Sequence, residues 1–163
     1  MVTFHNGNIL DSGADIICHQ VNCQGKMNSG VAKAIREKWP LAYVRYMESS
    51  NIEWDENHKH GKLVWKHMFG HIQPVHITEN NCTVINMFAQ DGYGYDGRRY
   101  TSYDAFWSCL SEIKEQIPKG KRIAFPARIG CVRGGANWEV IFTMIDVVLG
   151  DNYNVEIWDY DKG

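Results

Sequence analysis

Apolar runs of strand length alternate along this chain with stretches of helical period, separated by short polar gaps. The opening residues Val2 to His5 predict a short strand that turns at Asn6-Gly7. Residues 14–21, ADIICHQV, predict a buried strand, because Ile16, Ile17 and Val21 are β-branched and the run is mostly apolar. The polar loop NCQGKMNSG follows, then a helix in which Val31, Ala32 and Ile35 share a face and Pro40 marks the stop. A second short helix is expected from Leu41. KLVWKHM and PVHIT read as two short strands forming a hairpin on the sheet edge, and residues 82–90, CTVINMFAQ, as a stronger buried strand. Beyond the loop DGYGYDGRRYTS, Tyr103, Phe106, Leu110 and Ile113 share one face of a helix over residues 102–117. A strand through Ile123 to Pro126, a glycine-rich loop, a helix from Asn137 stopped at Gly150, and the strand NVEIWDY follow in turn.

Strand and helix in alternation, with a few extra strands, predict an α/β fold: a three-layer α/β/α sandwich around a mixed central sheet. The 163 residues fit one domain, residues 1–163, with enough chain to bury a core. The net charge of −2 gives no global reason to bind bulk nucleic acid or an acidic membrane. No apolar run approaches the ~20 residues that span a bilayer, and the N-terminus carries no secretory pattern, so a cytoplasmic protein is expected. Cys18, Cys23, Cys82, Cys109 and Cys131 form no C-x-x-C pair, and Cys18 and Cys109 sit in apolar patterns. His67-x3-His71 has helical ligand spacing, but Gly61, Gly70 and Pro74 argue against a helix there. No metal and no cofactor is expected.

Ligands in such folds bind beyond the carboxyl ends of the central strands. Three polar loops follow strands of that kind, at residues 22–30, 90–101 and 127–136. In the first, Gly25 and Gly30 precede a helix start near Ser29, a place suited to phosphate. In the last, Gly130, Gly134 and Gly135 precede the helix at Asn137. Two such loops over one crevice would grip a diphosphate from both sides. Neither is a P-loop, and neither is the G-x-G-x-x-G dinucleotide fingerprint.

Three stretches taken together resemble the macrodomain family of ADP-ribose-binding modules over essentially the whole chain: GNIL at 7–10, HQVNCQGKMNSGVAKAI at 19–35 and FPARIGCVRGGANWEVI at 125–141. INMFAQ at 85–90 and the following RRYTSYDA are similar to one branch, the short ADP-ribose-1″-phosphate phosphatases and ADP-ribosyl-glutamate hydrolases. The resemblance implies that Asn22 bonds the distal ribose, while Gln24, Gly25, Lys26, Met27, Asn28, Ser29 and Gly30 wrap that ribose and the pyrophosphate. It implies main-chain donors to the diphosphate from Gly130, Cys131, Val132, Arg133 and Gly134. Asn8 and Ile9 would lie against adenine, with Asn8 standing where many members have an aspartate. Trp158 or Tyr160 would cover the base, or pack as ordinary edge-strand residues. Gln90 ends the middle strand beside the same site.

The branch implies chemistry at the distal ribose. The glutamate-linked hydrolases use a lysine after the middle strand and an aspartate in the second loop. Here those places read Phe88-Ala89-Gln90 and Val132-Arg133-Gly134-Gly135. The phosphatase-like branch carries a histidine shortly before the loop asparagine, and His19 matches it. A histidine there suits general acid or base work, or a structural role in the sheet. Asp91 and Asp96 are the carboxylates available to orient water, Tyr93 and Tyr95 the candidate lid, and Arg98 and Arg99 candidate phosphate partners. The expected function is ADP-ribose binding with hydrolysis of a derivative, first ADP-ribose-1″-phosphate. The alternatives are removal of ADP-ribose or an acyl group from an acceptor, and a non-catalytic reader of ADP-ribose.

Overall fold

The buried strand foreseen at residues 82–90 lies inside the central sheet of the computed structural model, which describes residues 1–55, 60–92 and 98–160. The elements are β1 (Val2–Asn6), β2 (Ile16–Asn22), α1 (Gly30–Lys38), α2 (Pro40–Glu48), β3 (Asn51–Asp55), β4 (His60–Val64), β5 (Ile72–Ile77), β6 (Cys82–Gln90), α3 (Tyr103–Gln116), β7 (Arg122–Pro126), α4 (Trp138–Leu149) and β8 (Asn154–Asp159). Six strands form one sheet in the order β1-β8-β7-β2-β6-β5. All neighbours in it are parallel except β5, which pairs antiparallel to β6. The sheet is therefore mixed, and its fold class is the α/β one expected.

Each face of the sheet carries its own core. Ile17, Val21, Val84, Phe88 and Ala124 pack with Ile35, Ala42 and Tyr46 of α1 and α2. Cys18, Ile85, Met87 and Phe125 pack with Phe106, Leu110, Ile113, Ile141 and Ile145 of α3 and α4. Alternation along β2 and β6 sends successive side chains to opposite faces, and both faces are covered, so these strands read as continuous apolar runs. The cysteines at 18 and 109 are fully buried, as their patterns indicated, and burial raises both thiol pKa values.

Helix boundaries follow the local chemistry. Pro40 ends α1 and opens α2, where its missing N–H costs nothing at the first turn. Ser102 caps α3 by accepting from Ala105 N, and Asn137 caps α4 by accepting from Glu139 N.

One expectation fails. KLVWKHM and PVHIT do not form a hairpin with each other. The first pairs with Asn51–Asp55 as a separate two-stranded ribbon, β3-β4, and the second joins the main sheet beside β6. The physical reason is Trp65, which leaves the extended conformation and turns into the core at 2% exposure. The strand run ends there, and residues 66–68 form a short 3-10 turn instead. Among the described residues, no helix is long and apolar enough to cross a membrane.

Candidate functional site

The carboxyl ends of β2, β6, β7 and β8 open onto one cleft of about 1010 Å³, a volume suited to a nucleotide-sized ligand. The loops at 22–30 and 127–136 face each other across it. Arg133 Nη1 donates to Ser29 Oγ, joining the two loops, which are 104 residues apart in the chain.

The first loop is built on side chains. Asn22, the last residue of β2, folds its carboxamide back on its own loop: Oδ1 accepts from Gln24 N at 2.9 Å and Nδ2 donates to Lys26 O at 3.0 Å. The Tyr46 hydroxyl donates to Asn22 O at 2.6 Å and accepts from Gly25 N at 3.0 Å. Trp65 stacks on Tyr46 with ring centroids 5.4 Å apart and lies under Gly25. A Cβ on Gly25 would come within 2.8 Å of the Trp65 ring, and its φ of +77° is one L side chains rarely adopt, so glycine is required here. Met27 is fully buried and anchors the loop in the core. Lys26, Asn28, Ser29 and Gly30 line the cleft. Ser29 is the N-cap residue of α1, whose first N–H groups meet the same space.

The second loop is built on main chain. Gly134 O accepts from Tyr100 N at 2.7 Å and Thr101 N at 2.9 Å, and Gly130 O accepts from Ala136 N at 3.1 Å. A Cβ on Gly134 would lie 2.0 Å from Thr101 Oγ1 and 2.4 Å from Gly130 O, so no side chain fits. Gly130, Val132, Arg133 and Gly134 line the cleft. Cys131 is half-buried, its thiol bonded to Ile129 O and its pKa pushed up to about 11 by burial. At the rim Arg128, with a left-handed φ of 61°, forms a double ion pair with Asp159 at 3.1 and 3.3 Å.

The far end of the cleft holds Asn8, Ile9 and Trp158. Asn8 Oδ1 accepts from Leu10 N at 3.0 Å and caps a 3-10 turn at Ile9–Asp11. Trp158 stacks on His5, with centroids 4.8 Å apart, and donates Nε1–H to Glu156 at 3.0 Å. Glu156 is held in turn by Arg122, which keeps its carboxyl below the ordinary range despite burial.

The floor is β2. His19, 1% exposed, has Nε2 at 2.5 Å from Asn86 Oδ1, and burial pushes its pKa down to about 4. It lines the cleft as a neutral ring. Gln20 and Gln90 line it too, bonded to each other at 2.9 Å.

The structure thus brings most of the expected site residues to one place. Gln24, Gly25, Met27 and Cys131 shape the loops without lining the cavity, and Asp91 accepts from Gln24 Nε2 at 3.3 Å at the end of β6, outside the cavity wall. Asp96, Tyr93 and Tyr95 lie outside the described residues. Arg99 lies over the Tyr103 ring at 4.3 Å. Sequence reasoning missed Gln20, Thr101, Tyr46 and Trp65. An aromatic next to Gly25 in space has no signature in the chain, since the contact spans 40 residues.

No protein-family model matches the chain, and no curated protein matches it. Solved structures do. A Bacteroides thetaiotaomicron protein of unknown function superposes with a TM-score of 0.76 at 26% identity, covering 98% of each chain. The macrodomain of Thermus aquaticus DarG superposes at 0.70 and 21% identity, covering 98% of this chain and 97% of that one. Thermosipho africanus DarTG, solved in complex with ADP-ribose, superposes at 0.73 and 18% identity over 97% of this chain and 41% of that one. The chain has the macrodomain fold. The cleft between the two glycine loops lies where the sheet's parallel strands end.

Proposed function

We propose that the protein is a cytoplasmic ADP-ribose-binding macrodomain that hydrolyses an ADP-ribose derivative at the distal ribose, with ADP-ribose-1″-phosphate the first-choice substrate. The observation that supports this reading is the meeting of two glycine-bearing loops over one nucleotide-sized cleft. Free main-chain N–H groups at such places favour anionic oxygens without requiring a paired cation. A structural relative solved with ADP-ribose adds to it. In this pose the diphosphate lies between the loops, the base toward Asn8, Ile9 and Trp158, and the distal ribose over the end of β2. Asn8 meets the base through its amide group, its oxygen being already engaged with Leu10 N.

His19 is the residue best placed for proton transfer. It lines the cleft and is neutral near pH 7, the form in which an imidazole accepts a proton. Its depth in the sheet favours a second reading, a reader that binds ADP-ribose without turning it over. Calorimetry with ADP-ribose against AMP tests the pocket, and phosphate release from ADP-ribose-1″-phosphate tests the reaction. Binding together with turnover that falls in His19→Ala supports the hydrolase. Binding with no release, and none from ADP-ribosylated or O-acylated substrates, leaves the reader. Absence of ADP-ribose binding removes both.

A further inference from the structure

The second loop turns at Gly130, with a left-handed φ of 76°, and closes on itself where Ala136 N donates to Gly130 O at 3.1 Å. Among the described residues, three hydrogen bonds from outside the loop reach Gly130 and Gly134. Tyr100 N and Thr101 N donate to Gly134 O at 2.7 and 2.9 Å, and the Thr101 hydroxyl donates to Gly130 O at 2.8 Å. Thr101 makes two of the three. Its Oγ1 also lies against the loop: a Cβ on Gly130 would come within 3.1 Å of it, and a Cβ on Gly134 within 2.0 Å.

The frame fixes where Thr101 sits. It is 1% exposed, pairs with Gln90 at the end of β6, and precedes Ser102, whose N–H donates to Ala89 O at 2.8 Å. A threonine hydroxyl has one hydrogen to give and can also accept. Gln20 Nε2 donates to Thr101 Oγ1 at 2.8 Å, so the hydroxyl's own hydrogen goes to Gly130 O. Gln20 Nε2 also donates to Gln90 Oε1 at 2.9 Å, and Gln90 Nε2 donates to Gly92 O at 2.6 Å, which fixes the orientation of both amides. A chain of donors thus runs from β2 through a buried hydroxyl to the second loop. Buried polar groups are costly to leave unpaired, so this chain holds the loop in one shape.

We propose that Thr101 is a positioning residue for anion binding: its hydroxyl, oriented by Gln20, ties the second loop to the β6–α3 frame in the shape that seats the diphosphate. This rests on the ADP-ribose reading above and deepens it. Thr101 does not line the cleft, so it acts through Gly130 and Gly134, which do. The coupling is reciprocal: a hydroxyl bond that favours the ligand is itself favoured by the ligand, by the same factor.

The test is calorimetry of the full chain with ADP-ribose and with ADP, which shares the diphosphate, at a temperature where urea denaturation shows each variant fully folded. Thr101→Val removes the hydroxyl and keeps the branched shape, and it should weaken both ligands roughly tenfold. Thr101→Ser keeps the hydroxyl and should bind both within about twofold of the unaltered chain. A threonine that only stabilised the domain would lower the unfolding free energy of Thr101→Val and leave the affinity of the folded protein in place. If Thr101→Val fails to fold, proton NMR of the unaltered chain decides: ADP-ribose should slow exchange of the Thr101 hydroxyl hydrogen with water roughly tenfold. Unchanged affinity in Thr101→Val, an equal loss in Thr101→Ser, a loss confined to ADP-ribose, or an exchange rate that the ligand leaves alone overturns the inference while the binding reading survives. No binding of ADP-ribose by the unaltered chain overturns the reading and this inference together.

Discussion

The two loops that face each other across the cleft reach similar shapes by different means. The loop at 22–30 is held from beneath by aromatic side chains, with Trp65 under Gly25 and the Tyr46 hydroxyl tying Gly25 N to Asn22 O. The loop at 127–136 is held mainly by main chain against main chain, with Gly134 O shared by Tyr100 N and Thr101 N and the Thr101 hydroxyl added on Gly130 O. The first tolerates little change in residues far from it in sequence, because its supports come from α2 and the turn after β4. The second tolerates change in its own exposed side chains but none that adds an atom where backbone meets backbone. A ligand that needs a rigid seat on both sides can be served by either device. Their vulnerabilities lie in different parts of the chain.

The sharpest way to break this contrast is Gly134→Val. Its Cβ would overlap Thr101 Oγ1 and Gly130 O, so ADP-ribose binding measured by calorimetry should vanish; retained binding would mean that main-chain packing does not shape the second loop. Next is Trp65→Ala, which should lower unfolding free energy by about 3–5 kcal/mol in urea denaturation. The folded fraction should also bind more weakly, because Gly25 loses its floor. Undiminished affinity would show that the first loop holds itself. In the neighbouring strand β2 lies His19, neutral and buried. The unfolded chain protonates its imidazole below about pH 6.5 and the folded chain only below about 4. The unfolded state thus binds more protons in that window, and stability should fall as pH drops through it, by about 3 kcal/mol in all. Denaturation series at several pH values read this, and His19→Gln should flatten the profile; an unchanged slope would deny the buried neutral ring. Tyr46→Phe removes one hydroxyl and should cost about 1–2 kcal/mol, read in the same denaturation assay and in weaker ADP-ribose binding. The smallest effect belongs to Val132, 80% exposed on the second loop. Val132→Ala should stay within about 0.5 kcal/mol, since the loop's hold does not pass through that side chain.

Much of the architecture was legible one element at a time. The strand at residues 82–90 and the helix near 102–117 announce themselves through an apolar run and one-sided periodicity. These signals act over a few residues, which is the range a linear reading resolves. The hairpin misassigned to KLVWKHM and PVHIT shows the limit: both strands exist, and their partners lie elsewhere. Of the site, the glycines and polar residues of the two loops were visible as candidates, and so was His19.

The sequence by itself determined which segments become strands and helices, where glycine interrupts them, and which loops carry the glycines. Tertiary structure alone decided that β2 lies between β6 and β7, and that Arg133 reaches Ser29. It also decided that Trp65 fills the space under Gly25, and that His19 Nε2 meets Asn86 Oδ1 across the sheet. The reason is physical. Periodicity and capping are set by neighbours along the chain, whereas strand partnership, hydrogen-bond direction and burial are set by groups that only the packed sheet brings within a few ångströms of one another.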